Sequence, residues 1–224
     1  MKNITAIIIC AGEGGRWDNY LGVSKHFAPV DDEPILHRMV RLLNEYDITP
    51  WVVGNTNEYL VKGSILYLPT LNPDNEDADK FLSSQDLWDD EEGRTIVFYG
   101  DVFFTEEAMA RIVNFEGKDW VMFGRSKASE ITRCPYPECF ALSFYAEHIP
   151  EQLDAFKRAI EHYFVAKLEK PGGWGLYQQM RSKRVDNFQD RFENIDDFTE
   201  DFDFPVDYDE FIIRWDKAKE QKND

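Results

Sequence analysis

The feature that most constrains this chain is a glycine cluster set directly behind a continuous apolar run. Ile4 to Cys10 reads ITAIIIC and is followed by Ala11-Gly12-Glu13-Gly14-Gly15-Arg16-Trp17, with Lys25 a few residues on. An unbroken Ile-rich run is the pattern of a central parallel strand buried on both faces. A loop at the carboxyl end of such a strand is where open α/β sheets bind ligands, and glycine backbone there offers N–H groups to anionic oxygens. The loop is therefore a phosphate-binding candidate, with Arg16 and Lys25 supplying charge suited to a triphosphate and its leaving group. Two familiar loops are excluded by inspection. The dinucleotide fingerprint needs glycine where Trp17 stands, and a Walker A loop needs Gly-Lys-Ser/Thr where this chain has Ser24-Lys25-His26. The ordinary alternative is a glycine-rich turn with solvated cations.

The rest of the chain alternates strand-like and helical patterns, which predicts an α/β protein. Pro34 opens an amphipathic helix carrying Ile35, Leu36, Met39, Val40, Leu42 and Leu43. Strands are expected at Trp51–Val53, Ile65–Leu68, Trp120–Phe123, Phe140–Tyr145 and Phe192–Ile195. Arg94 to Phe104 reads as a buried strand interrupted at Gly100-Asp101, with Thr105 as N-cap of the next helix. Pro150 to Lys170 and Pro205 to Lys219 read as helices, and the polar residues Glu220 to Asp224 as a frayed tail, so one domain is expected over residues 1–219.

Composition narrows the partners. The 224 residues hold 25 Lys and Arg against 43 Asp and Glu, a formal charge of −18, and such a field repels nucleic-acid backbones and anionic membrane surfaces. No run approaches the roughly 20 apolar residues of a membrane span. With no secretion signal and three cysteines, Cys10, Cys134 and Cys139, a disulfide framework is not expected and the reading is a cytoplasmic protein.

Two acidic segments complete the chemistry-bearing set: Gly100-Asp101 and Asp201-Phe202-Asp203, with Pro205 and Asp207 behind the second. A hard divalent cation such as Mg²⁺ takes a few carboxylate oxygens and keeps the rest of its shell for water and phosphate. Two separated aspartates meeting over the sheet would provide that. The alternatives are a helix cap for Asp203 or Asp207 and a solvated acidic face.

The order Ala11-Gly12-x-Gly14-x-Arg16, Lys25, Val30-Asp31-Asp32-Glu33-Pro34-Ile35-Leu36, Gly100-Asp101 and Asp201-Phe-Asp-Phe-Pro-Val-Asp-Tyr208 resembles the sugar nucleotidyltransferases. The closing segment looks most like that of the cytidylyltransferases, including those for sialic acid and phosphocholine. The resemblance implies a GT-A-type nucleotidyltransferase fold, a single Rossmann-like, mixed and mostly parallel sheet flanked by helices. It implies that Ala11, Gly12, Glu13, Gly14 and Gly15 hold a nucleotide, CTP or UTP foremost, that Arg16 and Lys25 contact its phosphates, and that Asp101 and Asp203, with Asp201, bind Mg²⁺. Arg16, Lys25 and Asp101 are the catalytic candidates. Asn72, in Leu71-Asn72-Pro73, and Ser84, in Ser83-Ser84-Gln85, are similar to the phosphocholine group's stretch beside the nucleotide; an ordinary helix cap at Ser83 or Ser84 competes with that reading. The implied reaction transfers a nucleotidyl group from a nucleoside triphosphate to a small phosphorylated acceptor and releases pyrophosphate. The chain departs from the family at Ser24, where Pro usually precedes the lysine, and at Asp31-Asp32-Glu33, where a Gly-containing turn is usual.

A phosphate acceptor needs no general base. For a hydroxyl acceptor His26 is the motif-adjacent candidate, with a surface imidazole as the plainer reading. A glycosyltransferase of related fold and a non-catalytic nucleotide-binding protein are the competing readings. The segment Trp174-Gly-Leu-Tyr177 is an aromatic candidate for an acceptor pocket that could hold a quaternary ammonium.

Overall fold

A computed structural model describes residues 3–12, 15–70, 81–132, 134–166, 177, 179–180 and 191–223. Glu13, Gly14, Asn72 and Trp174 lie outside the described residues. The chain opens with β1 (Ile4–Ile9), a short hairpin of β2 (Pro29–Val30) and β3 (Glu33–Pro34), α1 (Ile35–Asn44), β4 (Trp51–Val53) and β5 (Ile65–Tyr67). It continues through β6 (Arg94–Tyr99), β7 (Val102–Phe103), α2 (Glu106–Val113), β8 (Val121–Arg125) and β9 (Glu138–Tyr145). It closes with α3 (Ile149–Ala166), β10 (Phe192–Asn194), β11 (Glu200–Asp201) and α4 (Pro205–Asn223).

Seven strands form one mixed sheet in the order β10-β8-β9-β6-β1-β4-β5. β1 lies between β4 and β6, parallel to both, while β9 runs antiparallel to β6 and β8. The alternation of side chains along β1 sends Ala6 and Ile8 to one face and Ile7 and Ile9 to the other. The first face is covered by Leu36, Met39 and Val40 of α1 and by Met109 and Ile112 of α2. The second is covered by Phe81, Trp88 and, from α3, Phe156. Burial on both faces is why the run is apolar from Ala6 to Ile9. Truncating a fully buried aromatic such as Phe98 to alanine costs ~3–5 kcal/mol. Among the described residues no helix is long and apolar enough to cross a membrane.

The helix ends follow from local chemistry. Thr105 caps α2, its hydroxyl accepting from the Ala108 N–H at 3.0 Å and donating to Asp197 at 2.6 Å. At the far end of α2 the Arg94 guanidinium donates to the carbonyls of Ile112 and Val113 at 3.2 and 2.6 Å, satisfying groups the helix leaves open. Asp207 in the first turn of α4 accepts from the Phe204 N–H at 3.0 Å, the helix-starting role weighed for it. α4 runs to Asn223, past the expected end at Lys219.

Two features go beyond the sequence reading, which has the strand interrupted at Gly100-Asp101 but not leaving the main sheet there. The segment Arg94–Phe104 splits at Gly100-Asp101, and β7 leaves the main sheet to pair antiparallel with β11, Asp201 opposite Val102. The Asp31-Asp32 turn takes left-handed φ at both residues, 53° and 62°, between paired Val30 and Glu33. That is the type I′ hairpin geometry, which aspartate tolerates where glycine is the usual choice. Asp31 is then fastened to α4 by the Trp215 indole, at 2.9 Å, and by an ion pair with Lys219.

Candidate active site

The site lies at the carboxyl ends of β1 and β6. Gly100 turns the chain there because its backbone crowds β1: a Cβ at this position would stand 2.3 Å from Cys10 Sγ and 2.8 Å from the Ile9 carbonyl oxygen. Asp101 follows immediately. The β7–β11 pairing then carries residues 201–203 beside it, with the Phe202 N–H donating to the Asp101 carbonyl at 3.2 Å. Residues a hundred positions apart are thus aligned by two short strands.

Lys25 stands at the centre. Its side chain is 10% exposed, and its Nζ makes an ion pair with Asp101 Oδ2 and lies 3.4 Å from Asp203 Oδ1. Burial alone would lower the lysine's pKa, but Asp101 and then Asp203 outweigh it and hold the group above its ordinary value. The ammonium is therefore permanent across ordinary pH. Arg16 approaches from the glycine loop, NH1 2.7 Å from Asp203 Oδ2, its guanidinium over the Phe204 ring at 5.5 Å. With 63% of its side chain exposed, Arg16 is the accessible cation of the pair and Lys25 the fixed one. The loop behind Arg16 is anchored by Trp17, fully buried with its indole N–H donating to the Val23 carbonyl at 2.9 Å. Trp17 packs edge-on against Tyr20 and Tyr208.

Sequence reasoning missed one residue. Glu138, the first residue of β9, brings its carboxylate together with those of Asp201 and Asp203, one oxygen from each lying within 4.8 Å of the others. Burial, reinforced by Asp203, pushes Glu138 up to about 7, and burial together with Glu138 raises Asp201 well above the usual carboxylate range. Among the described residues Asp201 Oδ1 is buried without a hydrogen-bond partner. Crowded carboxylates with an unsatisfied buried oxygen are the donor set of a hard cation, so the residues fit Mg²⁺. No glycine, cap or charge pattern in Pro137-Glu138-Cys139 marks the glutamate; only the reversed direction of β9 brings it to the site.

Other candidates fall differently. Ser84 is fully buried, donating to the Phe81 carbonyl at 2.7 Å and accepting from the Trp88 indole at 3.0 Å. It serves the core, and neither it nor Ser83 caps the short helix Leu82–Leu87, whose N-cap is Phe81. His26 is no surface imidazole: it is 2% exposed, with Nδ1 at 2.9 Å from Ser24 Oγ and 3.2 Å from Tyr59 Oη. Cys134 and Cys139 are free thiols, as is Cys10.

No protein-family model and no curated protein matches the chain. Solved structures do. A CTP:phosphocholine cytidylyltransferase from Streptococcus pneumoniae is similar with a TM-score of 0.54 and 14% identity over 95% of this chain and 99% of that one. A putative glucose-1-phosphate thymidylyltransferase from Bacillus anthracis aligns with a TM-score of 0.61 and 13% identity over 94% of both chains. A 4-diphosphocytidyl-2C-methyl-D-erythritol synthase from Anaerococcus prevotii aligns with a TM-score of 0.59 and 12% identity over 96% of this chain and 99% of that one. The alignments run nearly end to end on both sides, and the chain has the fold shared by these structures.

Proposed function

We propose that this protein is a Mg²⁺-dependent nucleotidyltransferase that moves a nucleoside monophosphate from a nucleoside triphosphate, CTP or UTP foremost, to a small phosphorylated acceptor. The observation that carries the reading is Lys25 held between Asp101 and Asp203 at the strand ends, with Arg16 of the glycine loop on the same aspartate. Cations and metal-type carboxylates meet there in one polar cluster, which is what a triphosphate and its counter-ion require. The names of the similar structures, cytidylyl and thymidylyl transfer among them, agree with it.

An oxygen of the acceptor phosphate attacks the α-phosphorus, a new P–O bond forms, and the bond to the β-phosphate oxygen breaks with release of pyrophosphate. The acceptor is already anionic near neutral pH, so no residue has to remove a proton. Catalysis then rests on placement and charge. Backbone from Ala11 to Gly15 holds the nucleotide, and Arg16 and Lys25 take up charge on the departing pyrophosphate. Asp101 and Asp203, with Asp201 and Glu138 beside them, would hold Mg²⁺, which supplies charge neutralisation at the phosphates. A formal charge of −18 makes that neutralisation a requirement, since bare carboxylates repel a triphosphate.

The test is thermal stability with CTP, UTP, ATP, GTP and dTTP, each with and without Mg²⁺, because a ligand of the native state raises Tm by mass action. A Mg²⁺-dependent rise with one or two triphosphates is expected. A rise with a nucleotide sugar and none with any triphosphate would favour a glycosyltransferase instead.

A further inference from the structure

Lys25 opens a single 3-10 turn, Lys25–Phe27, closed by the Phe27 N–H to the Ser24 carbonyl at 2.8 Å and the Ala28 N–H to the Lys25 carbonyl at 3.1 Å. A triangle of side chains ties this turn to its surroundings. Ser24 Oγ lies 2.9 Å from His26 Nδ1 and 3.2 Å from Tyr59 Oη, and Tyr59 Oη lies 3.2 Å from His26 Nδ1. Two hydroxyl protons and one imidazole lone pair supply two hydrogen bonds at a time among these three contacts. The triangle is wedged between strand ends. Tyr59 fills the space left at Gly54, where a Cβ would come within 2.6 Å of the Tyr59 Cβ, and the His26 ring lies against Gly100, where a Cβ would stand 3.2 Å from His26 Cδ2. Gly54 follows β4 and Gly100 follows β6, so the turn that carries Lys25 is referenced to the same backbone that carries Asp101.

The conformation so fixed is specific. Ser24 has φ −63° and ψ 148°, the values of a proline in a polyproline helix. Val23 before it is extended, φ −134° and ψ 159°, as a residue preceding proline must be. Among the described residues the Ser24 N–H makes no backbone hydrogen bond. Serine therefore adopts a proline geometry here by side-chain bonding.

We propose that Ser24, His26 and Tyr59 are positioning residues that hold residue 24 in this proline-like conformation and thereby aim Lys25 at the phosphate site. The kinetic part of this proposal rests on the nucleotidyltransferase reading; the structural part does not. The discriminating pair is Ser24→Ala and Ser24→Pro. Both delete the hydroxyl and its two contacts and leave the Tyr59–His26 contact, but only proline restores the backbone constraint by covalent means.

Two readouts are taken on the full chain. One is kcat and KM for the triphosphate in pyrophosphate release; the other is the rate of reductive dimethylation of Lys25 by formaldehyde, followed by peptide mass spectrometry, which requires no activity. In Ser24→Ala kcat falls about tenfold with KM changed less than about twofold, and Lys25 is methylated several times faster; Ser24→Pro returns both to within about twofold of the unmodified sequence. Tyr59→Phe, which leaves the Ser24–His26 contact, moves both readouts in the direction of Ser24→Ala by less. Identical kcat and identical labelling in Ser24→Ala and Ser24→Pro overturn the positioning role. A wild-type chain that turns over no triphosphate, yet shows the labelling difference, overturns the functional reading and leaves the positioning role standing.

Discussion

Asp203 Oδ1 lies 3.4 Å from Lys25 Nζ although 178 positions separate the two residues. The β7–β11 pairing makes this contact, by setting Asp201 opposite Val102 and so delivering Asp203 to the strand end where Lys25 already meets Asp101. Fold and chemistry are coupled at that pairing: the strands are two residues each, and they align groups from the two ends of the chain.

Replacing Lys25 by alanine removes the fixed counter-charge of two carboxylates. Turnover should fall by about 10²–10³, the loss typical of one preorganised charge-stabilising group. Stability should fall by about 2 kcal/mol, below the cost at a fully dry site because Asp101 and Asp203 retain some solvent. Because unpaired carboxylates then attract divalent cations, Mg²⁺ should raise the Tm of the variant more than that of the wild type. Unchanged turnover in Lys25→Ala would remove the phosphate role from the account.

Asp101→Asn keeps the shape of the side chain, deletes its charge and replaces one acceptor oxygen by an N–H donor. Turnover should drop by at least about 10² with the fold intact by circular dichroism. An active Asp101→Asn protein would place the cation elsewhere.

The strand-and-loop frame was legible in the sequence because the physics there is local. The Ala6–Ile9 run is uniformly apolar since both faces of β1 are covered, and Thr105 with Glu106 and Glu107 spells a helix start. Gly100-Asp101 was legible as a break, though not as the point where the chain leaves the main sheet. Glu138 was not legible, because its role depends on β9 running against its neighbours, a long-range fact without a local signature. His26 in a one-turn segment has no periodicity from which to infer burial, and Ser84 is hidden by a bond to Trp88 that no spacing rule announces.

Glu138 supplies a pH dependence. Its folded-state pKa is raised, from a reference of 4.5 to about 7, so the folded chain binds a proton that the unfolded chain releases over that interval. The associated stability is present below the reference value and is lost as pH rises through about 7, amounting to up to about 3 kcal/mol. In chelator-treated buffer, Tm should therefore decline between pH 5 and pH 8, and Glu138→Gln should flatten that decline. Parallel curves for the two proteins would contradict the assignment.

Gly100→Ala tests the crowding beneath the site. The added Cβ meets Cys10 Sγ and the Ile9 carbonyl, and relieving both requires backbone movement at Asp101. A loss of about 1–3 kcal/mol is expected, with a loss of turnover larger than the stability change explains. Adding Cys10→Ala should recover part of the stability and leave the clash with the Ile9 carbonyl.

The most direct test of the central claim is pyrophosphate release from CTP and UTP, with Mg²⁺, in the presence and absence of a panel of sugar phosphates and phosphocholine, on wild-type and Asp101→Asn protein side by side. Release is expected to require both Mg²⁺ and a phosphorylated acceptor and to disappear in Asp101→Asn. Acceptor-independent release, or release of equal rate from the variant, would contradict it.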